Sequence, residues 1–280
     1  MHSVERNLYE KGGARMLPSV FGLNTYFLFW GVAAVFGVSV GIQRATAAGF
    51  PRARSIAALL TFTIAIVLGS KLLFIVEHLL FPWDDPAPQG QESLAQVLWH
   101  GFRIPGGILL LAPAFPLVCR WLKLPTLRFA DAVIPAAAVA VVCVRIGCFC
   151  NGCCFGRLTD LPIGVAFPPG SRAYEWQMLQ GYIGGPALRS LPMHPLQLYF
   201  ALLGVLLYVV ASRMNERAHI DGQVLATFYL GFFSGTFVLE LMRPTPLHLN
   251  LILAAMIVAI TAAMTRRLRP VTAAAVRVAS

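Results

Sequence analysis

Residues 55–81 read SIAALLTFTIAIVLGSKLLFIVEHLLF. A membrane-crossing helix needs about 20 mostly apolar residues, and this stretch exceeds that with only Lys71 and Glu77 charged until its end. A water-soluble helix of that length would carry a polar face, and this one has none. The stretch therefore predicts a membrane span, and the rest of the chain agrees. Of its 280 residues 58% are apolar and 12% are charged, whereas soluble domains carry about 25% charged residues. That excludes a soluble enzyme, a disordered tail and a nucleic-acid-binding module. A net charge of +10 has no solvated face on which to form a basic patch, so no nucleic-acid partner is expected.

Seven apolar stretches stand out, at 20–42, 55–81, 105–122, 130–150, 194–214, 222–242 and 247–265. The expected fold is an all-α integral membrane protein, a single polytopic domain over residues 1–280. The third stretch is short and contains Pro105, Pro113 and Pro116, which predicts a kinked or half-buried helix. Residues 1–19 hold Glu5, Arg6, Glu10, Lys11 and Arg15 and do not read as a signal peptide. Lys and Arg favour one set of loops: Arg44, Arg52 and Arg54; Arg120, Lys123 and Arg128; Arg213 and Arg217; then Arg266, Arg267, Arg269 and Arg277. The positive-inside rule places these loops in the cytoplasm, with the C-terminus inside and the N-terminus outside. The long loops 82–104 and 151–193 then face outward. Both are rich in Pro and Gly, with aromatics suited to the headgroup level.

Polar groups within or beside these spans are expensive and usually functional. Lys71 reads as a snorkelling cation, Glu77 and His78 as interfacial groups, and Asp131 as an N-terminal helix cap. Arg145 is late in an apolar span. It reads either as half of an ion pair with Glu240 or as a cation for an anionic headgroup, since its planar fork suits phosphate.

The most informative segment is Arg145-Ile-Gly-Cys-Phe-Cys-Asn-Gly-Cys-Cys-Phe-Gly-Arg157. Its glycines allow a bend and a close approach of backbone to ligand. Cys148, Cys150, Cys153 and Cys154 fall within seven residues, without the paired C-x-x-C spacing of a zinc ribbon. Continued as a helix, the segment would place Cys150 and Cys154 on one face. Buried packing, a disulfide, and a reactive-thiol or soft-metal site all stay open. Cys119 and Cys143 read as packing residues. Further on, Met193-His194-Pro195-Leu196-Gln197-Leu198-Tyr199 opens the fifth span with polar handles.

Together these motifs resemble the bacterial prolipoprotein diacylglyceryl transferases, from about residue 20 to 265. Gly22-Leu23-Asn24-Thr25-Tyr26 resembles the family's opening, and Leu68-Gly69-Ser70-Lys71 its Gly-Gly-Arg turn. Trp99-His100-Gly101-Phe102-Arg103-Ile104-Pro105-Gly106-Gly107 resembles its His-Gly-Gly element. Arg145 to Arg157 resembles its signature, Phe167 to Arg172 its periplasmic loop, and His194 to Tyr199 its H-P-S-Q-L-Y motif. The resemblance implies a bacterial inner-membrane enzyme that moves diacylglyceryl from phosphatidylglycerol to the lipobox cysteine of a prolipoprotein signal peptide. Its partners are then that lipid, that peptide and the surrounding membrane lipid, and no cofactor or resident metal is implied.

The chemistry needs a thiolate nucleophile and cations on the leaving phosphate. Arg145, Tyr26, Asn151, Gly156 and Glu240 match family positions. Arg145, Glu240, His194 and Tyr26 are the catalytic candidates, with His100 a second candidate base. Arg145, Asn151, Gly156, Arg243, Gly106 and Gly107 are the lipid-binding candidates. The chain departs from the family at Pro105 (family His), Cys148 (Asn), Cys153 (Glu) and Thr236 (Arg). Those changes leave two alternatives: a member of the same fold with redox or metal chemistry at the cysteines, and a non-catalytic lipid-binding protein.

Overall fold

The computed structural model describes residues 19–20, 23–80, 103–184, 189–217, 220–244, 255 and 257–259. Apart from a two-residue antiparallel pair, β1 (Ser19–Val20) with β2 (Leu23–Asn24), the elements are helices. They are α1 (Thr25–Ala47), α2 (Arg52–Leu80), α3 (Ile104–Trp121), α4 (Thr126–Cys150), α5 (Arg172–Leu179), α6 (Leu196–Asn215) and α7 (Gln223–Glu240).

Five of them, α1 to α4 and α6, are long and apolar enough to cross a membrane. The expected sixth span forms as the 18-residue α7. With Gln223 and Glu240 at its two ends, it is not among those five. The seventh expected span lies outside the described residues, except for helical backbone at 255 and 257–259. Large apolar side chains point outward along the helices, among them Leu60, Ile64, Leu68 and Leu72 at helical spacing on α2. Such a surface suits lipid, because every backbone polar group of a helix is satisfied internally.

The chain groups into two compact units. One comprises residues 38–133. Its core joins Ala58, Leu59 and Phe62 of α2 with Cys119 of α3 and Phe129 and Ala132 of α4. Phe62 stacks on Phe115, with centroids 4.5 Å apart. Helices α2 and α3 touch through glycine: a Cβ on Gly69 would collide with the Gly106 carbonyl oxygen, and one on Gly106 would collide with that of Gly69. Small residues at such a crossing let two backbones meet, which drives helix association where lipid is as apolar as Leu. The α3 prolines, Pro113 and Pro116, lie inside one continuous helix.

The other unit comprises residues 1–37 and 134–280. There α4, α6 and α7 share a core of Ile134, Ala138, Leu207, Ala211, Val224 and Phe228. Helix α1 packs Trp30 and Ala33 against Val144 and Cys148 of α4. Two sequence expectations change here. Helix α4 begins at Thr126 after Pro125, so Asp131 is a turn and a half inside it and buried, which a terminal cap is not. The loop 151–193 contains a helix, α5. It starts where the Ser171 hydroxyl accepts from the Tyr174 amide, an N-cap.

Candidate functional site: a junction of three segments

Helix α4 stops at Cys150, because the chain turns on Gly152 at φ 66° and Cys154 at φ 59°. A left-handed Cys carries strain that a Gly does not, and residues held this way mark functional sites. The helical continuation that would have paired Cys150 with Cys154 is therefore absent. Beyond the turn, backbone hydrogen bonds tie the chain down. Gly156 N–H donates to the His194 carbonyl and His194 N–H donates to the Arg157 carbonyl, each at 2.9 Å. Arg157 N–H donates to the Met242 carbonyl at 2.9 Å, and its Nε donates to the Arg243 carbonyl at 3.1 Å. The signature segment, the segment opening α6 and the end of α7 thus meet at one place, although they are far apart in sequence.

Gly156 belongs to that junction for a steric reason. A Cβ there would lie 2.8 Å from the Cβ of His194 and 2.9 Å from its carbonyl oxygen. A Cβ on Gly147 would lie 2.5 Å from that of Phe29 on α1. Behind the junction, Gln177 of α5 is fully buried and clamps Leu191 at both backbone groups, with bonds of 3.0 and 2.7 Å. Neither α5 nor this clamp was expected from the sequence. The Ser171 cap and the amphiphilic run after it were the available signal.

The charged groups are divided between partners. Glu240 at the end of α7 is buried, 1% exposed, and pairs with Arg243 at 2.7 Å. Glu240 thus has Arg243 as a partner, one turn away on the same stretch of chain. The Arg145 guanidinium carbon lies 3.9 Å from the ring centroid of Phe200 on α6, a cation–π contact. His194 Nδ1 is 3.1 Å from the Tyr199 hydroxyl. Gln197 is fully buried and donates Nε2 to the Cys153 carbonyl, while its Oε1 has no hydrogen-bond partner among the described residues. Thr236, four residues before Glu240, also buries a hydroxyl that has no partner among the described residues.

Three of the cysteines converge. The sulfurs of Cys148, Cys153 and Cys154 all lie within 4.8 Å of one another, and all three residues hold free thiols. Cys153 also approaches the Cys148 carbonyl at 3.7 Å. The three thiols lie close enough to influence one another's protonation. Hydrogen bonds from Cys148 and Cys153 hold Cys154 well below the usual thiol range. The charges of Arg243 and Arg145 add to this, and burial opposes it. Cys153 is pushed up to about 12. The bond from Cys148 lowers it, but donation to Cys154 and burial outweigh that effect. Among the described residues this trio is the group able to hold a metal ion.

Other candidates lie elsewhere. Cys150 falls outside the trio. Asn151 caps the end of α4, its N–H donating to the Gly147 carbonyl at 3.0 Å, and its side chain bonds Cys153. Tyr26 is in the first turn of α1, with its side chain outside the described set, as is that of His78. His100 is likewise outside the described residues. Gly106 and Gly107 form the α2–α3 crossing, where a Cβ on Gly107 would lie 2.6 Å from the Ser70 hydroxyl. Packing accounts for both glycines. Nearby, Glu77 pairs with Arg103, so the interfacial reading of Glu77 gains a partner.

A family model described as prolipoprotein diacylglyceryl transferase matches residues 16–267. A phosphatidylglycerol–prolipoprotein diacylglyceryl transferase of Clostridium tetani is 27% identical over 235 residues, 82% of this chain and 86% of that protein. A second such enzyme, from Clostridium perfringens, is 27% identical over 82% of this chain and 84% of its own length. The Caulobacter vibrioides enzyme is 31% identical over 191 residues, 66% of this chain and 61% of that protein.

Proposed function

Since the chain belongs to the prolipoprotein diacylglyceryl transferase family, we propose that it moves diacylglyceryl from phosphatidylglycerol to a cysteine thiol of a prolipoprotein signal peptide. The observation that carries this reading is a pair of guanidiniums, Arg145 and Arg243: backbone bonds join the signature segment that Arg145 opens to the end of α7 that carries Arg243, beside a glycine-shaped turn. Such a pair neutralises the phosphate that leaves with glycerol, and in a site shielded from water each fixed donor counts for more. Glu240 holds Arg243 in place. His194, hydrogen-bonded to Tyr199, is a proton acceptor at the same junction, and Asn151 and Gly156 shape the lipid side.

The inner membrane is the compartment that fits this substrate pair. The Lys and Arg bias puts the C-terminus in the cytoplasm, so the junction opens outward, where a translocated signal peptide arrives.

The test combines purified protein, phosphatidylglycerol and a synthetic lipobox peptide, and tracks the peptide mass. The expected result is a gain of one diacylglyceryl group, with the rate about 100- to 1,000-fold lower in Arg145→Ala. Full activity in that variant removes Arg145 from the reaction. No gain with wild type, beside an active relative, removes the transferase reading.

A further inference from the structure

We propose that Cys148, Cys153 and Cys154 hold a zinc ion with one open coordination position, and that this position receives the acceptor thiol. The metal site stands on the geometry alone. Its use in catalysis rests on the transferase reading above.

Zinc–sulfur bonds of about 2.3 Å at tetrahedral angles place sulfurs about 3.8 Å apart. The three sulfurs already lie within 4.8 Å of one another, so small side-chain rotations close the site. Adjacent residues in extended chain point to opposite sides. The left-handed Cys154 overcomes that, turning the second sulfur of the Cys153–Cys154 pair to the same place as the first. A disulfide uses two sulfurs and gives no reason for the strained third. Three protein ligands and one open position is the pattern of catalytic zinc, whereas structural sites close with four.

Two further features fit. A zinc ion on three thiolates carries one net negative charge, which suits a turn flanked by Arg145 on α4 and by the end of α7 that carries Arg243. Gln197 holds the Cys153 carbonyl and leaves a buried Oε1 without a hydrogen-bond partner among the described residues, as an outer-shell group waiting for a bound ligand does.

The chemistry rests on the effect of the ion on a thiol. On binding, the acceptor S–H bond breaks, its proton leaves to water, and the sulfur sits on zinc as thiolate. The sulfur electron pair then forms the C–S bond to the glycerol carbon. The C–O bond to phosphate breaks, and its electron pair leaves on the oxygen of glycerol phosphate. No oxidant or reductant is needed. This adds a metal that the family resemblance does not imply.

The test uses the full chain in detergent, stripped with chelator and titrated with Zn(II) or Co(II), without lipid. The expected result is one ion per chain and an intense sulfur-to-cobalt absorption band. The band is lost in Cys148→Ser, Cys153→Ser and Cys154→Ser and kept in Cys143→Ser and Cys150→Ser. A lipobox peptide shifts the cobalt spectrum, and the same peptide with Ser in place of Cys does not. Sub-stoichiometric metal, a band that survives the triple variant, or a disulfide mapped among the three in protein purified without oxidant each overturns the site. A bound metal whose spectrum ignores the peptide overturns the open position. The lipid-transfer mass assay is separate. Metal binding with a peptide shift but no transfer removes the transferase reading and keeps the zinc site, and transfer at full rate by metal-free protein keeps the transferase reading and overturns the catalytic use of the zinc.

Discussion

Two Arg–Glu pairs use the same chemistry in different surroundings. In the unit of residues 38–133, Glu77 and Arg103 bridge the end of α2 and the start of α3, with side chains 28% and 48% exposed. In the other unit, Glu240 and Arg243 pair across one turn, with side chains 2% and 15% exposed. An exposed pair gains little, about 0–1 kcal/mol, because water and salt screen it. A buried pair loses hydration on both ions, so it persists only where geometry or function demands it. Burial, not the identity of the partners, separates a helix fastener from a site.

The two pairs differ most at their carboxylates. Glu240→Gln leaves the Arg243 charge buried without its counter-ion and is expected to destabilise by about 3–5 kcal/mol. Glu77→Gln is expected to cost at most about 1 kcal/mol. Thermal unfolding of both variants in one detergent reads the difference, and equal costs would show that burial is not the deciding variable. On activity, the arginines separate the same way. Arg243→Ala should slow diacylglyceryl transfer about 100-fold, while Arg103→Ala stays within about twofold. Arg243→Lys should recover only part, because an ammonium lacks the planar fork.

The glycines sharpen it further. Gly69 faces the backbone of α3, so an added methyl runs into the Gly106 carbonyl oxygen and the helices must separate. Gly69→Ala should cost about 1–3 kcal/mol, the range for overpacking a tight core. Gly31 on α1 has no described atom within 4 Å of the same position, so Gly31→Ala should be neutral or stabilise by up to about 1 kcal/mol. A stability scan that finds the two alike would mean the α2–α3 crossing yields easily.

Much of the fold was legible because a membrane helix writes its length directly into hydropathy. The starts of α2, α3 and α6 fall within three residues of the apolar stretches that predict them. Asp131 misled because a charged residue at the edge of an apolar run looks like a cap, and hydropathy does not see that Pro125 starts the helix earlier. The site was legible as motifs but not as a place. Arg145, His194, Glu240 and Arg243 each stood out, yet only the backbone ladder from Gly156 to His194 and from Arg157 to Met242 brings them together. The cysteine spacing was visible, but which three converge depends on the φ of one residue, Cys154, and no periodicity encodes that.

The smallest effect concerns the element the sequence hid. Ser171 accepts from the Tyr174 amide at 3.3 Å and donates to the Pro168 carbonyl at 2.7 Å, so it caps α5 and closes the preceding turn. Its removal in Ser171→Ala should cost about 1 kcal/mol, the usual value of an N-cap. The loss should be local, because the Ala173 amide bonds the Gly152 carbonyl at 3.1 Å, and Gly152 begins the turn that sets Cys154. Hydrogen exchange is therefore expected to quicken at residues 172–179 and at 152–157, with α2 and α3 unchanged. A change confined to α5 would show that the cap stabilises its own helix and leaves the thiol turn fixed by the bonds to His194 and Met242 alone.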